Sequence, residues 1–311
     1  MPMITMNEPV VEPVSEPALD PRISVVIPHL NQPQMLARCL GSLRDGTRQP
    51  DEIIVVDNGS DVLPVVPDDV ILLQETALAG PGPARNLGVA HATGDVLAFI
   101  DADCLARFNW LEEAAARIGF ADILGGDVRI GYANPRRLTM LEAYESIYAY
   151  RMARYIREEG FTGTGNLVVK RSVLETVGPF AGLEKAEDRD WGRRATAMGY
   201  EITYVPQMRV YHPARRCFRE IFEKWDRQLA HEYGTLASGR DKLRWIAKML
   251  AMAPSPIAEI PRIAGTDRVP CALNKAQAFV GLCRIRAYRA GRMLDLLLRG
   301  QPERLAAKWN R

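Results

Sequence analysis

The chain has 311 residues, of which 47% are hydrophobic and 25% are charged, with a formal net charge of +2. This ordinary globular composition is long enough for one large α/β domain plus an extension. No stretch reaches 18 uninterrupted apolar residues, which argues against a membrane-spanning helix. Residues 1–20 are rich in Pro and Glu and lack a signal-peptide pattern, so we expect a disordered leader there.

The small net charge hides an asymmetry between the two ends of the chain. Residues 213–311 carry 20 Lys and Arg against 9 Asp and Glu, a net charge of +11, which leaves −9 for residues 1–212. Such a split predicts an acidic catalytic body joined to a basic part that faces an anionic partner. Nucleic acid and an anionic membrane surface both fit. No nucleic-acid-reading motif is recognised, so we expect the membrane surface and no nucleic acid.

The cysteines indicate the compartment. The chain contains Cys39, Cys104, Cys217, Cys271 and Cys283, an odd number without disulfide or metal spacing. We therefore expect reduced thiols and a cytoplasmic protein, with the basic part able to lie peripherally on the inner face of the cell membrane.

Strand and helix patterns alternate from residue 23 onwards. Apolar runs predict strands at 23–27, 53–56, 70–73 and 96–100, while helical periodicity predicts helices after Pro33 and from near Ala84. These strands are too apolar to have a solvent-exposed face, and they alternate with helices. This pattern implies a parallel sheet with right-handed crossovers. The expected fold class is α/β, a Rossmann-like and mostly parallel sheet flanked by helices.

The site prediction depends on the segment from Val96 to Asp103. A buried strand there ends in Asp101 and Asp103, at the sheet edge where open α/β folds bind ligands. Two carboxylates one residue apart suit a hard divalent cation that phosphate oxygens also hold. A solvated Asp-rich turn is the plainer interpretation of so short a motif, so the assignment needs support from the rest of the chain.

Two further residues are predicted to lie at the same edge. Asp57 follows the second strand and is suited to accept hydrogen bonds from a base or ribose, although an ordinary Asx-type turn also explains it. Arg85 is in the first turn of its helix, where free N–H groups favour a diphosphate; a surface arginine is the alternative.

Four segments, taken in order, resemble glycosyltransferase family 2. They are Ser24-Val25-Val26-Ile27-Pro28 with Asn31, Ile54 to Ser60, Ala84 to Gly88, and Gly94 to Asp103. The resemblance continues to about His212. It implies a GT-A fold over residues 21–212, a nucleoside-diphosphate sugar as donor, Mn²⁺ or Mg²⁺ as cofactor, and inversion at the anomeric carbon.

The resemblance also implies roles for single residues. Asp103 becomes the main metal ligand, with Asp101 as a second ligand nearer the ribose and His212 as a third; a structural histidine stays open for His212. Asp188 becomes the general base with Glu187 beside it, although acids at a helix N-terminus are also favoured by the dipole alone. The residues implied to bind the donor are Pro28, Asn31, Asp57, Arg85, Asp101, Asn166 and Arg194.

The second half of this domain is expected to build the acceptor side. Asn109 followed by Glu112 resembles a capping box that opens a helix through Ile118. A strand is predicted at 123–130, and one long helix from 138 to about 157. The helix carries four tyrosines, which either stack on sugars or belong to the core.

Beyond His212 the chain becomes basic, and residues 213–311 are predicted to be a helical extension. The predicted helices include 218–229 and a final, Arg-rich amphipathic helix at 275–299. Such a helix either lies in a bilayer interface or packs on the catalytic domain or a second subunit, which leaves a homo-oligomer open.

The predicted function is transfer of a sugar from a nucleoside diphosphate to a hydroxyl acceptor, either a glycan or a lipid-linked intermediate. Two alternatives remain at this point. A sugar-phosphate nucleotidyltransferase shares the sheet and the nucleotide, but it opens with a Gly-rich, Arg-containing phosphate loop that is absent after Val26. A non-catalytic nucleotide-sugar or glycan-binding module would keep the acids only as structure.

Overall fold

The structure is a computed structural model that describes residues 20–300. The predicted leader up to residue 19 and the end of the basic extension from 301 lie outside the described residues. The described chain contains an eight-stranded sheet in the order β3-β2-β1-β4-β7-β6-β8-β5. Its strands are β1 Ile23–His29, β2 Glu52–Asp57, β3 Val70–Gln74, β4 Val96–Ile100, β5 Leu105–Ala106, β6 Ile123–Gly131, β7 Asn166–Lys170 and β8 Ile202–Pro213.

Helices cover both faces of this sheet and form the extension. They are α1 Pro33–Arg44, α2 Pro81–His91, α3 Trp110–Ile118, α4 Met140–Tyr148, α5 Met152–Arg154, α6 Arg171–Val177, α7 Glu187–Ala197, α8 Phe218–Gly234, α9 Gly239–Ala251, α10 Ser255–Ala258, α11 Ile260–Gly265 and α12 Ala272–Arg299. A π-helical turn, Tyr155–Glu159, follows α5.

The sheet lies between two layers of helices. Val25 and Ile27 of β1 share one apolar core with α1 and α3, whereas Val26 belongs to a second core with α2, α6 and α7. Because successive strand residues point to opposite faces, a strand covered on both sides needs an unbroken apolar run. All five residues of β4 are accordingly buried.

The parallel sheet predicted from the first strands is found for β1 to β4. The second half of the sheet is mixed. β7 runs antiparallel to both β4 and β6, β8 runs parallel to β6, and the short β5 runs antiparallel to β8. Asn166 at the start of β7 pairs with Ile100 at the end of β4, so the loop before β7 reaches the edge where Asp101 lies.

Two predicted helix starts differ from the observed ones. α2 begins at Pro81 rather than near Ala84, because Gly80 adopts φ 117° and Pro81 is suited to the first helical position. The capping box predicted at Asn109 is absent. The Asn109 amide instead donates to Glu113, and Glu112 accepts a hydrogen bond from the Thr47 hydroxyl.

The long helix predicted from 138 to 157 is broken. α4 ends at Tyr148, and Tyr150 adopts φ 47°, a left-handed conformation that no helix continues through. The chain resumes as α5 and the π-helical turn. This break turns the Tyr150 ring away from the helix axis and against His212, with ring centroids 4.9 Å apart.

The basic extension shares a core with α4 rather than standing apart from the sheet. Leu141 and Ile147 of α4 pack with Ile221 of α8 and with Leu282 and Ile285 of α12. Between residues 20 and 300, no helix combines the length and apolarity that crossing a bilayer requires.

A buried carboxylate also ties the extension to the sheet. Asp127 of β6 is 1% exposed, and its oxygens accept from Arg129 at 2.8 Å and from Arg268, ahead of α12, at 2.5 Å. Tyr132 donates its hydroxyl to the Arg268 carbonyl. Buried charges are tolerated when they are paired in this way.

Candidate active site

The three predicted metal ligands meet at one edge of the sheet. Asp101 and Asp103 follow β4 directly, and carboxylate oxygens of the two lie within 4.8 Å of each other. His212, near the end of β8, places its Nε2 3.3 Å from Asp103 Oδ2. Its Nδ1 lies 2.7 Å from the Pro213 carbonyl, which fixes the ring with Nε2 toward the carboxylates.

The donor set at this edge fits a hard divalent cation. Burial raises the pKa of Asp103, the Asp101 carboxylate adds to the rise, and His212 opposes it. Cys104 also places its sulfur near both carboxylates, but burial and the two acids raise the pKa of its thiol well above the usual 9.0. The two carboxylates, with the His212 imidazole 3.3 Å from Asp103, are donors of the kind that bind Mn²⁺ or Mg²⁺.

Arg85 connects this cluster to the acids of α7. Its side chain is 2% exposed, with Nη2 2.6 Å from Asp101 Oδ1 and Nη1 3.0 Å from Glu187 Oε1. The surface arginine allowed by the sequence is therefore excluded. Both Nη atoms of the guanidinium thus contact carboxylates, and donor binding by Arg85 stays a prediction.

Glu187 and Asp188 form the first turn of α7 beside that bridge. The Asp188 Oδ1 atom accepts the Arg189 backbone N–H at 2.7 Å. Burial raises the pKa of Asp188, and the neighbouring Glu187 and Asp101 carboxylates raise it further. The Arg189 N–H and the Arg85 guanidinium lower it, but the net shift is upward. A half-buried carboxylate with a raised pKa is suited to accept a proton.

A cavity of about 350 Å³ opens next to the carboxylates of Asp101 and Asp103. Pro28 and His29 at the end of β1, Asn58 after β2 and Gly80 before α2 line it together with Asp101. Ligand pockets of open α/β folds lie in this place, outside the carboxyl ends of the strands. Pro28 therefore lies where the sequence predicted a donor contact.

Asp57 does not line this cavity but contacts His29, which does. Its carboxylate is 2% exposed and accepts hydrogen bonds from His29 Nδ1 at 2.8 Å and from the Ser60 hydroxyl at 2.5 Å. Burial alone would raise its pKa, but these hydrogen bonds lower it. Since His29 Nε2 accepts the Gln32 N–H, the proton of the ring lies on Nδ1, and Asp57 sets the orientation of His29.

Asn31 and Asn58 shape the loops around the cavity. Asn31 is exposed with φ 52°, donates its N–H to Ser60 Oγ and accepts the Asp61 N–H. Asn58 donates to the carbonyls of Glu75 and Leu78 and accepts from the Gly80 N–H. The sequence analysis noted Asn58 only as part of a turn and did not single out His29, because their partners are distant in the chain.

Asn166 and Arg194 hold the framework instead of facing this cavity. Asn166 is fully buried, with its Oδ1 accepting from Trp110 and its Nδ2 donating to the carbonyls of Asp127 and Met208. Arg194 donates to Asp190 and to the carbonyls of Val177 and Pro179. Both side chains thus hydrogen-bond within the protein and lie outside the walls of this cavity, and their binding of the sugar donor stays a prediction.

Gly165 lies close against the Asp101 carboxylate, although no local sequence pattern predicts this contact. A Cβ atom at this position would lie 2.5 Å from Asp101 Oδ2. The carboxylate cannot retreat freely because Arg85 holds its other oxygen. A glycine is therefore required for the backbone to approach Asp101.

Comparison with known proteins identifies the family. The family described as Glycosyl transferase family 2 matches residues 24–186. The chain belongs to glycosyl transferase family 2. This match confirms the family predicted from the four segments. It identifies a glycosyltransferase enzyme rather than a sugar-phosphate nucleotidyltransferase or a non-catalytic binding module. Glu187, Asp188 and His212 lie beyond the matched residues, so their roles depend on the geometry above.

Individual relatives agree with this family. Glycosyltransferase AglE of Haloferax volcanii is 34% identical over 217 residues, which cover 66% of this chain and 70% of that protein. The pre-mycofactocin glycosyltransferase of Mycobacterium tuberculosis is 28% identical over 219 residues, 64% of this chain and 44% of that protein. Among solved structures, the mannosyltransferase PcManGT from Pyrobaculum calidifontis in complex with GDP-Man and Mn²⁺ matches with a TM-score of 0.53 at 18% identity, over 92% of this chain and 89% of that one. The fold of the glycosyltransferase is thus of the GT-A type.

Proposed function

We propose that this glycosyltransferase moves a sugar, with inversion and with the help of Mn²⁺ or Mg²⁺, from a nucleoside diphosphate to a hydroxyl of a glycan or lipid-linked acceptor. One observation carries the proposal. Buried Arg85 joins Asp101, which lines the 350 Å³ cavity, to Glu187, the chain neighbour of the candidate base Asp188. An inverting transfer needs these groups around one reacting carbon.

The metal site would handle the leaving group. Asp101, Asp103 and His212 would hold the ion, which would supply positive charge beside the departing diphosphate. The protein's own part is to present the ligands. Arg85 fixes one oxygen of Asp101, and the His212 Nδ1 contact with the Pro213 carbonyl directs Nε2 to Asp103. The solved neighbour with GDP-Man and Mn²⁺ supports a nucleotide-sugar donor and a metal of this kind.

The base would act on the acceptor. Asp188 takes the proton of the acceptor hydroxyl while that oxygen bonds to the anomeric carbon and the bond to the diphosphate breaks. Direct displacement uses no carboxylate as a nucleophile on the sugar. Glu187 is held by Arg85, whereas the described partner of the Asp188 carboxylate is a single backbone N–H, which supports Asp188 as the base.

A thermal-stability screen tests this function. A donor at 100 times its Kd adds about 2.7 kcal/mol to the free energy of unfolding, which raises the Tm of a chain of this size by about 5 °C. We expect at least one nucleoside-diphosphate sugar to produce this shift with Mn²⁺ and not with EDTA, and the same compound to be hydrolysed slowly. A panel in which no nucleotide sugar stabilises the protein with either metal would refute the proposal.

We also propose that the basic extension docks on anionic membrane. Eight large apolar side chains on its described helices are between 45% and 78% exposed. They are Leu243, Leu250, Ile257, Ile260, Leu273, Val280, Leu294 and Leu298. Exposed apolar residues on a part of the chain with a net charge of +11 suit a surface of acidic lipids. A homo-oligomer remains a prediction that light scattering would check.

Vesicle sedimentation measures this docking. We expect binding to phosphatidylcholine vesicles that contain phosphatidylserine, and little binding to phosphatidylcholine alone. Raising the salt from about 0.1 M to about 1 M shortens the Debye length from roughly 10 Å to roughly 3 Å and should release the protein. If the protein does not sediment with phosphatidylserine-containing vesicles at low salt, the proposal is contradicted.

A further inference from the structure

A second cavity, of about 1020 Å³, joins the catalytic part to the basic extension. Its walls come from α1, the end of β8, the start of α4, and helices α8 and α12. Asp103 borders this cavity as well as the smaller one. A molecule in the larger cavity therefore reaches the metal cluster from its own entrance, without entering the smaller cavity.

The acids that face the larger cavity already have partners. Glu142 accepts two backbone N–H groups at the start of α4, at 2.6 and 2.8 Å. Asp226 accepts from the Tyr288 hydroxyl at 2.9 Å and pairs with Arg292 at 2.9 Å. Glu223 lies 3.8 Å from Arg219. Glu142 and Asp226 therefore have little capacity left for the hydroxyls of a sugar.

Three arginines that line the same cavity have no such partner. Within residues 20–300, no carboxylate lies at ion-pair distance from the guanidinium groups of Arg38, Arg216 and Arg284. The Arg284 guanidinium lies 4.1 Å from the centroid of the Phe218 ring. All three side chains are exposed, so their guanidinium groups border the cavity and are available to an anion.

Aromatic and aliphatic side chains form much of the remaining wall. Phe222 stacks on Tyr288 with ring centroids 3.9 Å apart, and Phe218 packs against Phe222 at 5.8 Å. Met140 and Leu141 of α4 complete this surface. Such a wall buries apolar groups, whereas the arginines prefer the planar bidentate contacts that phosphate oxygens provide.

We infer that this cavity binds the acceptor, and that the acceptor is a sugar carried on a phosphate joined to an apolar chain. The inference rests on the proposed function and adds the class of its acceptor. The phosphate is a handle for Arg284, Arg216 and Arg38 and takes no part in bond formation, which stays with the acceptor hydroxyl and Asp188. A neutral glycan fits less well, because the carboxylates that would bind its hydroxyls are already engaged.

Direct binding to the full-length protein, without donor, tests the inference. The probes are farnesyl phosphate, farnesol without the phosphate, and inorganic phosphate without the chain, each measured by calorimetry. We expect farnesyl phosphate to bind at least about tenfold more tightly than either control, since charge-assisted hydrogen bonds contribute about 1.5–3 kcal/mol. Arg284→Gln should weaken farnesyl phosphate binding about tenfold, and Arg216→Gln should weaken it in the same direction.

Arg240→Gln is the matched control. Arg240 is exposed on α9, lies outside the walls of the cavity and carries the same charge as Arg284. An equal loss in Arg240→Gln, or equal binding of farnesol and farnesyl phosphate by the unmodified protein, would overturn the inference. The latter comparison uses no variant and so does not depend on variant folding.

Parallel assays of donor hydrolysis separate this inference from the function on which it rests. If Mn²⁺-dependent donor hydrolysis persists while farnesyl phosphate does not bind, the acceptor class is wrong and the transferase function stands. If farnesyl phosphate binds through Arg284 while no nucleotide sugar is bound or hydrolysed, the cavity assignment stands and the transferase function fails.

Discussion

Asp188→Asn is expected to lower the rate of sugar transfer by about 10²-fold or more while leaving donor binding nearly unchanged. Asparagine keeps the shape of the side chain and removes the oxygen that would take the proton. The donor site should persist, because the Arg85 bridge runs through Glu187 and Asp101 and does not include Asp188. Initial rates with a saturating donor, beside donor affinity from the thermal shift, give the two quantities.

The pH dependence of transfer gives a second measurement on the same residue. The base works only when deprotonated, so the rate should fall as the pH drops through the pKa of Asp188. Because burial and the nearby acids raise that pKa, the fall should begin above the range of an ordinary aspartate. Asp188→Asn should lose this acidic limb and keep only a low residual rate.

Two variants in the same turn serve as controls. Asp190→Asn changes an acid that is tied to Lys185 and Arg194, away from Arg85, and should retain most of the activity. Glu187→Gln breaks the Arg85 bridge and should weaken donor binding as well as transfer. Near-normal transfer by Asp188→Asn alongside an inactive Glu187→Gln would move the base to Glu187, and normal transfer by both would refute the assignment.

Asp103→Ala is expected to abolish metal-dependent donor binding without loss of the fold. Asp103 lies between Asp101 and His212 and borders both cavities, so its removal takes away the central ligand. A donor should then produce no Mn²⁺-dependent rise in Tm. Mn²⁺-dependent turnover at the unmodified level would rule out Asp103 as the main ligand.

The effect of Asp103→Ala on stability can be predicted separately from its effect on metal binding. Burial raises the pKa of Asp103 in the folded state above its unfolded value, so above the unfolded pKa the charged form favours unfolding. Without metal at neutral pH, Asp103→Ala should therefore have an equal or higher Tm. Asp68→Ala, an exposed acid ahead of β3, is the matched control and should change neither Tm nor metal dependence.

The positions of Asp101, Asp103 and His212 could be anticipated from the sequence because they depend on where strands end. Parallel strands deliver their carboxyl ends to one edge, and the four family segments set the order of those strands. The first four strands and helices α1, α8 and α12 could likewise be predicted from the spacing of their apolar residues. These features depend on local patterns that a single sequence displays.

Features that depend on distant partners could not be anticipated. Arg85 is 102 positions from Glu187, and no local pattern distinguishes a buried bridge from a surface side chain. The amide of Asn166 is taken by groups up to 56 positions away. The direction of β7 could not be predicted either. A strand buried on both faces has the same apolar sequence pattern in a parallel and in an antiparallel pair.

The shared core of α4 and α12 has a consequence for synthesis. Ala272, where α12 begins, is 124 positions after Tyr148, where α4 ends. Translation proceeds at about 5–20 residues per second, so roughly 6–25 s pass between the synthesis of α4 and the start of α12. During that interval the surface that includes Leu141 and Ile147 lacks the helix that later covers it. The nascent chain therefore leaves part of this apolar surface uncovered until α12 has been translated.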